Sequence, residues 1–313
     1  MAHSDTIPNA AIRAPRLQTA RFVPRLRDTL VAYTFLLPFF VLFVIFVLKG
    51  VIYGVQLSFY NWNILAPTHK YIGLANFNEL INDKLWWTSL SNTVFFAVLT
   101  VAGTTIVALV TAMAVNQRLV GRDLFRAIFY APSLLSVGVV GIIWSWMLDS
   151  DFGMVNYGLK LLGLPTVSWL GDAHAVIPSL SLTTIWWGFG FPMLIFLAGL
   201  QNISETFYEA ARMDGANRWQ VFRFVTFPLL RPTLLFVTVT GFISQFQVFG
   251  QPYIMTAGGG PGTASYTVII YLFQTAWRYL RAGYGSAIAV GLAVLMIILT
   301  LGQFLLFGRR ADE

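Results

Sequence analysis

The sequence predicts an all-α membrane protein, a bundle of six transmembrane helices, and three observations carry that expectation. Hydrophobic residues make up 57% of the 313 and charged residues only 11%, against roughly 25% in an average soluble domain. The charges cluster, leaving six uncharged windows at 29–48, 85–117, 127–148, 173–204, 232–277 and 282–308. Each can hold the run of about 20 apolar residues that a helix needs to cross a hydrocarbon core of about 30 Å. Lys and Arg also divide unevenly between alternate flanks of these windows. Together these features exclude a soluble globular enzyme, a disordered tail protein and a secreted disulfide scaffold. The chain has no cysteine, so thiolate chemistry is excluded as well.

Residues 1–28 form a basic arm carrying Arg13, Arg16, Arg21, Arg25 and Arg27, interrupted by Pro8, Pro15 and Pro24. A cleaved signal peptide is the weaker reading, because the apolar run after it is too long and no small-x-small site closes it. The membrane-spanning body, 29–308, starts with span one at Thr29–Leu48, which can continue past Lys49 toward Leu57. Span two lies within Trp87–Val115, span three covers Ala127–Leu148 and span four lies within Ala175–Leu200. Span five runs from near Pro232 to near Tyr253, and span six covers about Gly285–Phe307, before a tail at 309–313. Tyr266–Leu280 is apolar and aromatic and follows a Gly-Pro loop; it reads as an interfacial or re-entrant helix, a seventh span being the alternative.

Orientation follows from the basic residues at the span ends. One side holds the arm, Arg118, Arg122 and Arg126, then Arg212, Arg218, Arg223 and Arg231, and Arg309 and Arg310 in the tail, fourteen in all. The other holds Lys49, Lys70, Lys84, Lys160, Arg278 and Arg281, six in all. The first side is expected to be cytoplasmic, with both termini on it; a seventh span would break that consistency. On the other side, Asn61, Trp62, Asn63, Trp86 and Trp87 read as interfacial anchors. Gly258–Gly262, with Pro261 inside it, reads as a tight turn; a phosphate loop would need a Lys after the glycines.

Much chemistry is missing. All 13 acidic residues lie outside the proposed spans, whereas ion-coupled carriers place acidic or histidine relays inside the membrane. His3, His69 and His174 are far apart and none falls at mid-span; this argues against a metal site or a nucleophile–base pair, and His174 reads as a solvated loop residue. No G-K-[ST] occurs, so the chain has no phosphate loop for ATP. No catalytic residue is expected, and the basic charge is read as topology rather than nucleic-acid binding.

The 201–231 loop is the most informative segment. Asn202 with Glu205, and Asn217 with Gln220, are spaced as capping boxes for two short helices. The first would end near Met213, with Gly215 taking the left-handed conformation. The second would end near Phe227, with Pro228 and Pro232 marking the break into span five. Helices this short are unstable alone in water, so a packing partner is expected; a plain surface connector is the alternative.

Within this loop Glu209, Ala210, Ala211, Gly215, Val225, Phe227 and Pro228 fit the pattern E-A-A-x-x-x-G-x(9)-[apolar]-x-[apolar]-P, strengthened by Tyr208 and by Met213-Asp214-Gly215-Ala216. The run resembles the EAA motif of ABC importer permeases. Further matches are Leu37-Pro38, Leu57-Ser58-Phe59-Tyr60, Gly73-Leu74-Ala75-Asn76-Phe77, Arg122-x-x-Phe125-Arg126 followed by Pro132, Trp144-x-Trp146-x-x-Asp149 with Phe152-Gly153, and Thr256 through Pro261. Together they are similar to the maltose- and glycerol-3-phosphate-type sugar permeases, with the MetI/MalF-like bundle. The resemblance implies a bacterial or archaeal cytoplasmic membrane and a second homologous permease. It also implies two ATPase subunits that bind the ATP and Mg, and an extracytoplasmic solute-binding protein. It assigns ATPase coupling to Glu209, Ala210, Ala211, Asp214, Gly215 and Pro228. Val225 and Phe227 replace the usual Ile and Leu, and no outward loop carries a large insertion.

Sugars are held by aromatic stacking with hydrogen bonds from amides and hydroxyls, a pattern of few polar groups in an apolar lining. By resemblance the nearest path residues are Thr184, Trp187, Gly188, Phe191, Ser244 and Gln245, with Gln247 and Gln251 added. Bonding of these groups between helices is the competing reading. An uncharged lining favours neutral sugars; a polyol or glycerol-3-phosphate importer, an ion-coupled carrier, a membrane enzyme and an assembly scaffold are the alternatives.

Overall fold

The computed structural model describes residues 26–66, 69–117 and 120–308. Most of the basic arm, Arg118 and the 309–313 tail lie outside the described residues. Three straight helices are long and apolar enough to cross a membrane: Tyr33–Leu57, Lys84–Val115 and Ala282–Leu305. Three bent pairs reach that length only together: Arg122–Leu134 with Val137–Met147, Val176–Gly188 with Gly190–Gln201, and Arg218–Leu229 with Arg231–Phe246.

Two compact units divide the chain, 1–52 and 53–313. In the first, the helix starting at Leu26 passes Pro38 and widens over Phe43–Leu48, where the Lys49 N–H bonds the carbonyl of Val44 five residues back. Such a wide turn is a usual way for a helix to absorb an irregularity. Its apolar side chains, Phe35 through Leu48, are exposed, as lipid- or partner-facing residues are.

In the second unit the Lys84–Val115 helix is central. It lines up small residues, Ala97, Thr100, Ala108 and Ala112, all fully buried. Gly103 lies against Ile185 so closely that a Cβ would collide with it. Lipid is as apolar as leucine, so membrane helices gain by close packing over small residues rather than by hydrophobic burial. The Gly190–Gln201 helix packs Met193, Phe196, Leu197 and Leu200 against Ala108 and Ala112.

Three expectations need correction. Span three is not one helix: its two halves meet at 93° across Leu135 and Ser136, and the first half ends in a tight turn over Ala131–Leu134 that contains Pro132. Proline lacks the N–H a continuing helix needs. Span five ends early, at Phe246; Gln247–Phe249 is irregular and a separate helix, Gly250–Met255, follows. Trp86 is 5% exposed and belongs to a buried cluster with Leu80, Leu90 and Ile288, so it is a core residue, not an anchor. Trp87 is exposed and donates its indole N–H to the Ile81 carbonyl at 2.8 Å. The 266–280 stretch, read as interfacial or re-entrant, forms a helix over Val268–Phe273 that widens over Gln274–Arg278. At about 1.5 Å per residue it is too short to span. It is not superficial, since Val268, Ile270, Tyr271 and Thr275 are buried.

That short helix is tied to the start of the Lys84–Val115 helix. Asp83 caps it, accepting from the Leu85 N–H at 2.8 Å. The same carboxylate accepts from the hydroxyls of Tyr271 and of Tyr284, the latter at 2.6 Å. Burial alone would raise its pKa; the two phenols and the backbone N–H groups of Leu85 and Trp86 outweigh that and hold it below the ordinary 3.8. A carboxyl depressed in the folded state stabilises above its unfolded pKa, and the gain disappears as pH falls through the folded value. Asp83→Asn keeps a cap of the same rank but loses the charge on the acceptor of the two phenol bonds, and should cost about 1 kcal/mol at neutral pH. In purified protein, the gap in thermal midpoint between variant and wild type should persist to pH 4 and close only below pH 3.8.

Candidate functional site: a central cavity and a helical loop

Two helix interruptions face the same space. Phe189 joins the Val176–Gly188 and Gly190–Gln201 helices at 53°. Pro192 offers no N–H to the Gly188 carbonyl four residues back, which favours the bend. Opposite it the Arg231–Phe246 helix stops, and Gln247–Phe249 leads into Gly250–Met255. A cavity of about 560 Å³ lies between them.

All eight path positions named from the sequence line this cavity: Thr184, Trp187, Gly188, Phe191, Ser244, Gln245, Gln247 and Gln251. Their chemistry differs. The Thr184 hydroxyl already donates to the Leu180 carbonyl at 2.8 Å. The Trp187 indole N–H reaches the Leu135 carbonyl at 3.1 Å, which fixes the ring's orientation. The side chains of Ser244, Gln245, Gln247 and Gln251 make no hydrogen bond with any described residue. They are therefore not the interhelical bonds that amides often form in bundles. The lining contains no Asp, Glu, Lys, Arg or His.

Sequence reasoning missed Val101, Thr104 and Thr105 of the central helix, and Thr240 and Gly241 one turn before Ser244. Thr105 presents a buried hydroxyl oxygen with no partner among the described residues. The second pair was available as a continuation of the Ser244/Gln245 helix face by i−3 and i−4 steps. The threonines of the central helix carried no such signal.

The 201–231 loop folds as two short helices. The first runs Glu205–Met213 and starts from Ser204, not Asn202. Its C-terminus closes as expected at Gly215, with φ +76°. The Gly215 N–H bonds the Arg212 carbonyl at 3.0 Å and the Ala216 N–H bonds Ala211 at 2.9 Å, the paired closure that requires a left-handed residue. No atom lies within 4 Å of where a Gly215 Cβ would be, so the conformation, not crowding within this chain, is what calls for glycine there. Asn217 and Gln220 form the capping box in both directions, at 2.8 and 2.9 Å.

Pro228 does not mark the break. It sits within the helix that ends at Leu229, and the 65° bend falls at Leu230. The preceding wide turn, Phe222–Thr226, lets the Phe227 N–H reach the Phe222 carbonyl and makes room for a proline ring. Tyr208 links the two helices by accepting from the Thr226 hydroxyl at 3.4 Å. Ala211 is buried, whereas Glu209, Ala210, Arg212, Asp214 and Gly215 are exposed, as is Met213 at 87%. None of Glu205, Glu209, Arg212 and Asp214 forms an ion pair among the described residues.

This architecture has close counterparts. Residues 104–311 match the family model of binding-protein-dependent transport system inner membrane components. The trehalose/maltose transport system permease MalF of Thermococcus litoralis is 31% identical over 88% of this chain and 92% of its own length. The arabinooligosaccharide transport system permease AraP of Halalkalibacterium halodurans is 31% identical over 90% of each chain. Among solved structures, a bacterial alginate ABC transporter, crystallised in complex with its alginate pentasaccharide-bound periplasmic protein, contains a chain that matches with a TM-score of 0.79. The two are 26% identical, over 91% of this chain and 96% of that one. Family model, relatives and fold agree, and the chain belongs to the inner membrane components of binding-protein-dependent transport systems, the ABC importer permeases.

Proposed function

We propose that this permease carries a neutral sugar (mono-, di- or oligosaccharide) into the cytoplasm, driven by ATP hydrolysis on partner subunits. The observation that carries the reading is the central cavity. It is uncharged and sets an oriented indole beside four side chains, those of Ser244, Gln245, Gln247 and Gln251, whose hydrogen-bonding capacity is unused. Apolar faces with a few placed polar groups are what a polyhydroxylated ligand needs. Relatives named for trehalose/maltose and arabinooligosaccharide transport support the class. A phosphorylated solute is less well served, since no cation lines the cavity. The same lack argues against alginate, the acidic polysaccharide imported by a second solved ABC transporter that this chain resembles.

The partners follow from the family. A second homologous permease supplies the other half of the path, and a periplasmic binding protein delivers the solute, as the alginate complex suggests. Two ATPase subunits bind ATP and Mg. They grip the exposed Glu205–Met213 helix through Glu209, Ala210 and Asp214, with Gly215 shaping its end and Pro228 the segment behind it. Closure of the ATPases on ATP moves these helices and turns the cavity outward; hydrolysis resets it. Both termini then lie in the cytoplasm. In this cycle the permease makes and breaks no covalent bond.

Reconstituting the permease with its ATPases, second permease and binding protein in vesicles tests the reading. Neutral sugar should accumulate only with ATP on the ATPase side, and the phosphorylated sugar should not. Uptake driven by an ion gradient without ATP would overturn it.

A further inference from the structure

A second cavity lies far along the sequence from the first. Tyr53, Gln56, Phe59, Tyr60, Trp62 and Tyr71 line a groove of about 530 Å³. Five of its seven lining residues are aromatic; the other two are Gln56 and Leu57. Tyr60 and Tyr71 are cross-strand partners in a two-residue antiparallel ladder, and their rings meet edge to face at 5.3 Å. Tyr53 and Trp62 meet in the same way at 6.1 Å, while His69 lies flat on Trp62 at 3.3 Å.

The platform under these rings is fixed by backbone bonds. Buried Asn76 donates to the carbonyls of Ser58 and Tyr60 at 2.8 and 3.0 Å. The Gly283 N–H bonds the Trp62 carbonyl at 3.1 Å, and that of Ile64 bonds Leu280 at 3.2 Å. Gly283 approaches the Tyr60 carbonyl so closely that any Cβ there would collide with it. The backbone that carries Tyr60 and Trp62 is therefore set before any ligand arrives, which lowers the cost of binding.

The polar groups at the groove are unused. The hydroxyls of Tyr53, Tyr60 and Tyr71, the Gln56 amide and the Trp62 indole N–H bond no described residue. No charged side chain lines it. An anionic headgroup or an acidic peptide would meet no cation here, and an acyl chain would leave five polar groups unanswered. A neutral saccharide meets both halves of this chemistry, its C–H faces on the rings and its hydroxyls on the free donors and acceptors. We propose that this groove is a saccharide-binding site separate from the central cavity, one that holds sugar at the mouth of the path. Its position outside the membrane rests on the topology proposed above; its ligand chemistry does not.

Photolabelling of the whole transporter in nanodiscs, without ATP or binding protein, tests this. The probes are diazirine derivatives of maltotriose, of trigalacturonate as the anionic control, and of a phospholipid acyl chain. Maltotriose should label the 53–71 peptide and be competed by unlabelled maltotriose, and trigalacturonate should not. Trp62→Leu should reduce that label about tenfold, the scale of losing one well-packed aromatic contact. The double change Tyr53→Phe with Tyr71→Phe keeps both rings and the hairpin, and should reduce it about tenfold through two lost hydrogen bonds. Labelling in the 184–192 and 244–251 peptides should be unaffected. Absence of sugar label at 53–71, label insensitive to both variants, or label there from the acyl-chain probe instead would overturn the proposal. Loss of label only at 184–192 and 244–251 would count against the central cavity and leave this groove standing.

Discussion

Replacing Glu209–Gly215 with a Gly-Ser segment of equal length should reduce ATP-driven uptake to background while leaving the protein in the membrane at normal abundance. Two features set the size and selectivity of that effect. The Glu205–Met213 helix is nine residues long, below the length at which an isolated helix is stable in water. It owes its order to the paired closure at Gly215 and to the Tyr208–Thr226 contact. A Gly-Ser segment removes the closure and adds about 1 kcal/mol of helix cost per glycine, so the helix should melt. Of the residues replaced, however, Ala211 alone is buried, so the membrane bundle loses almost no packing. Gly215→Val is the graded version. A β-branched residue at φ +76° costs about 1–2 kcal/mol, and uptake should fall about tenfold. Normal transport by the Gly-Ser variant, measured in vesicles with matched protein amounts, would remove the coupling role assigned to this helix.

Legibility in the sequence followed the locality of the cause. The Gly215 closure and the Asn217–Gln220 box depend on a few adjacent residues, and the structure has both. Ser204 starts the first helix although Asn202 with Glu205 has the capping spacing; spacing alone does not say which of two nearby polar residues turns the chain. Charge-free length located the spans but not their bends, because a 22-residue window reads the same whether straight or folded after Leu134. Trp86 and Trp87 are adjacent and identical in type, yet one is core and the other exposed. Helix rotation separates them, and a window of uniform hydrophobicity carries no phase. Several motifs that carried the family resemblance are backbone-satisfying turns. Asp149 accepts from the N–H groups of Asp151 and Phe152, and Asn76 holds the hairpin. By contrast, Asn156 is 1% exposed and joins Val167 and Trp169, a long-range role that nothing around it in the sequence announces. The eight path positions meet at one cavity although two separate segments supply them. The threonines of the central helix complete it unseen, because polar residues of small size are also common as packing spacers.

Gly188→Trp should then block transport without disturbing the fold, by at least about a hundredfold. Most substitutions at buried helix glycines fail through overpacking, at about 1–3 kcal/mol. Gly190, two residues on, would fail in that way, since its Cβ would stand 2.7 Å from the Phe129 carbonyl oxygen. Gly188 differs on every count that matters. It lines the cavity, no atom lies within 4 Å of its added Cβ, and its φ is not in the left-handed range. The new indole therefore has open space beside the cavity to occupy rather than packed protein. A tryptophan side chain takes up a large share of about 560 Å³, and a sugar ring cannot share what remains. A loss of a hundredfold corresponds to about 2.7 kcal/mol, modest for steric exclusion. Gly188→Ala, which adds one methyl to the same space, should transport within about threefold of wild type, a difference below 1 kcal/mol. The contrast between the two, with thermal midpoints unchanged in both, separates occlusion of the path from damage to the bundle. Wild-type uptake by Gly188→Trp would mean that solute passes elsewhere.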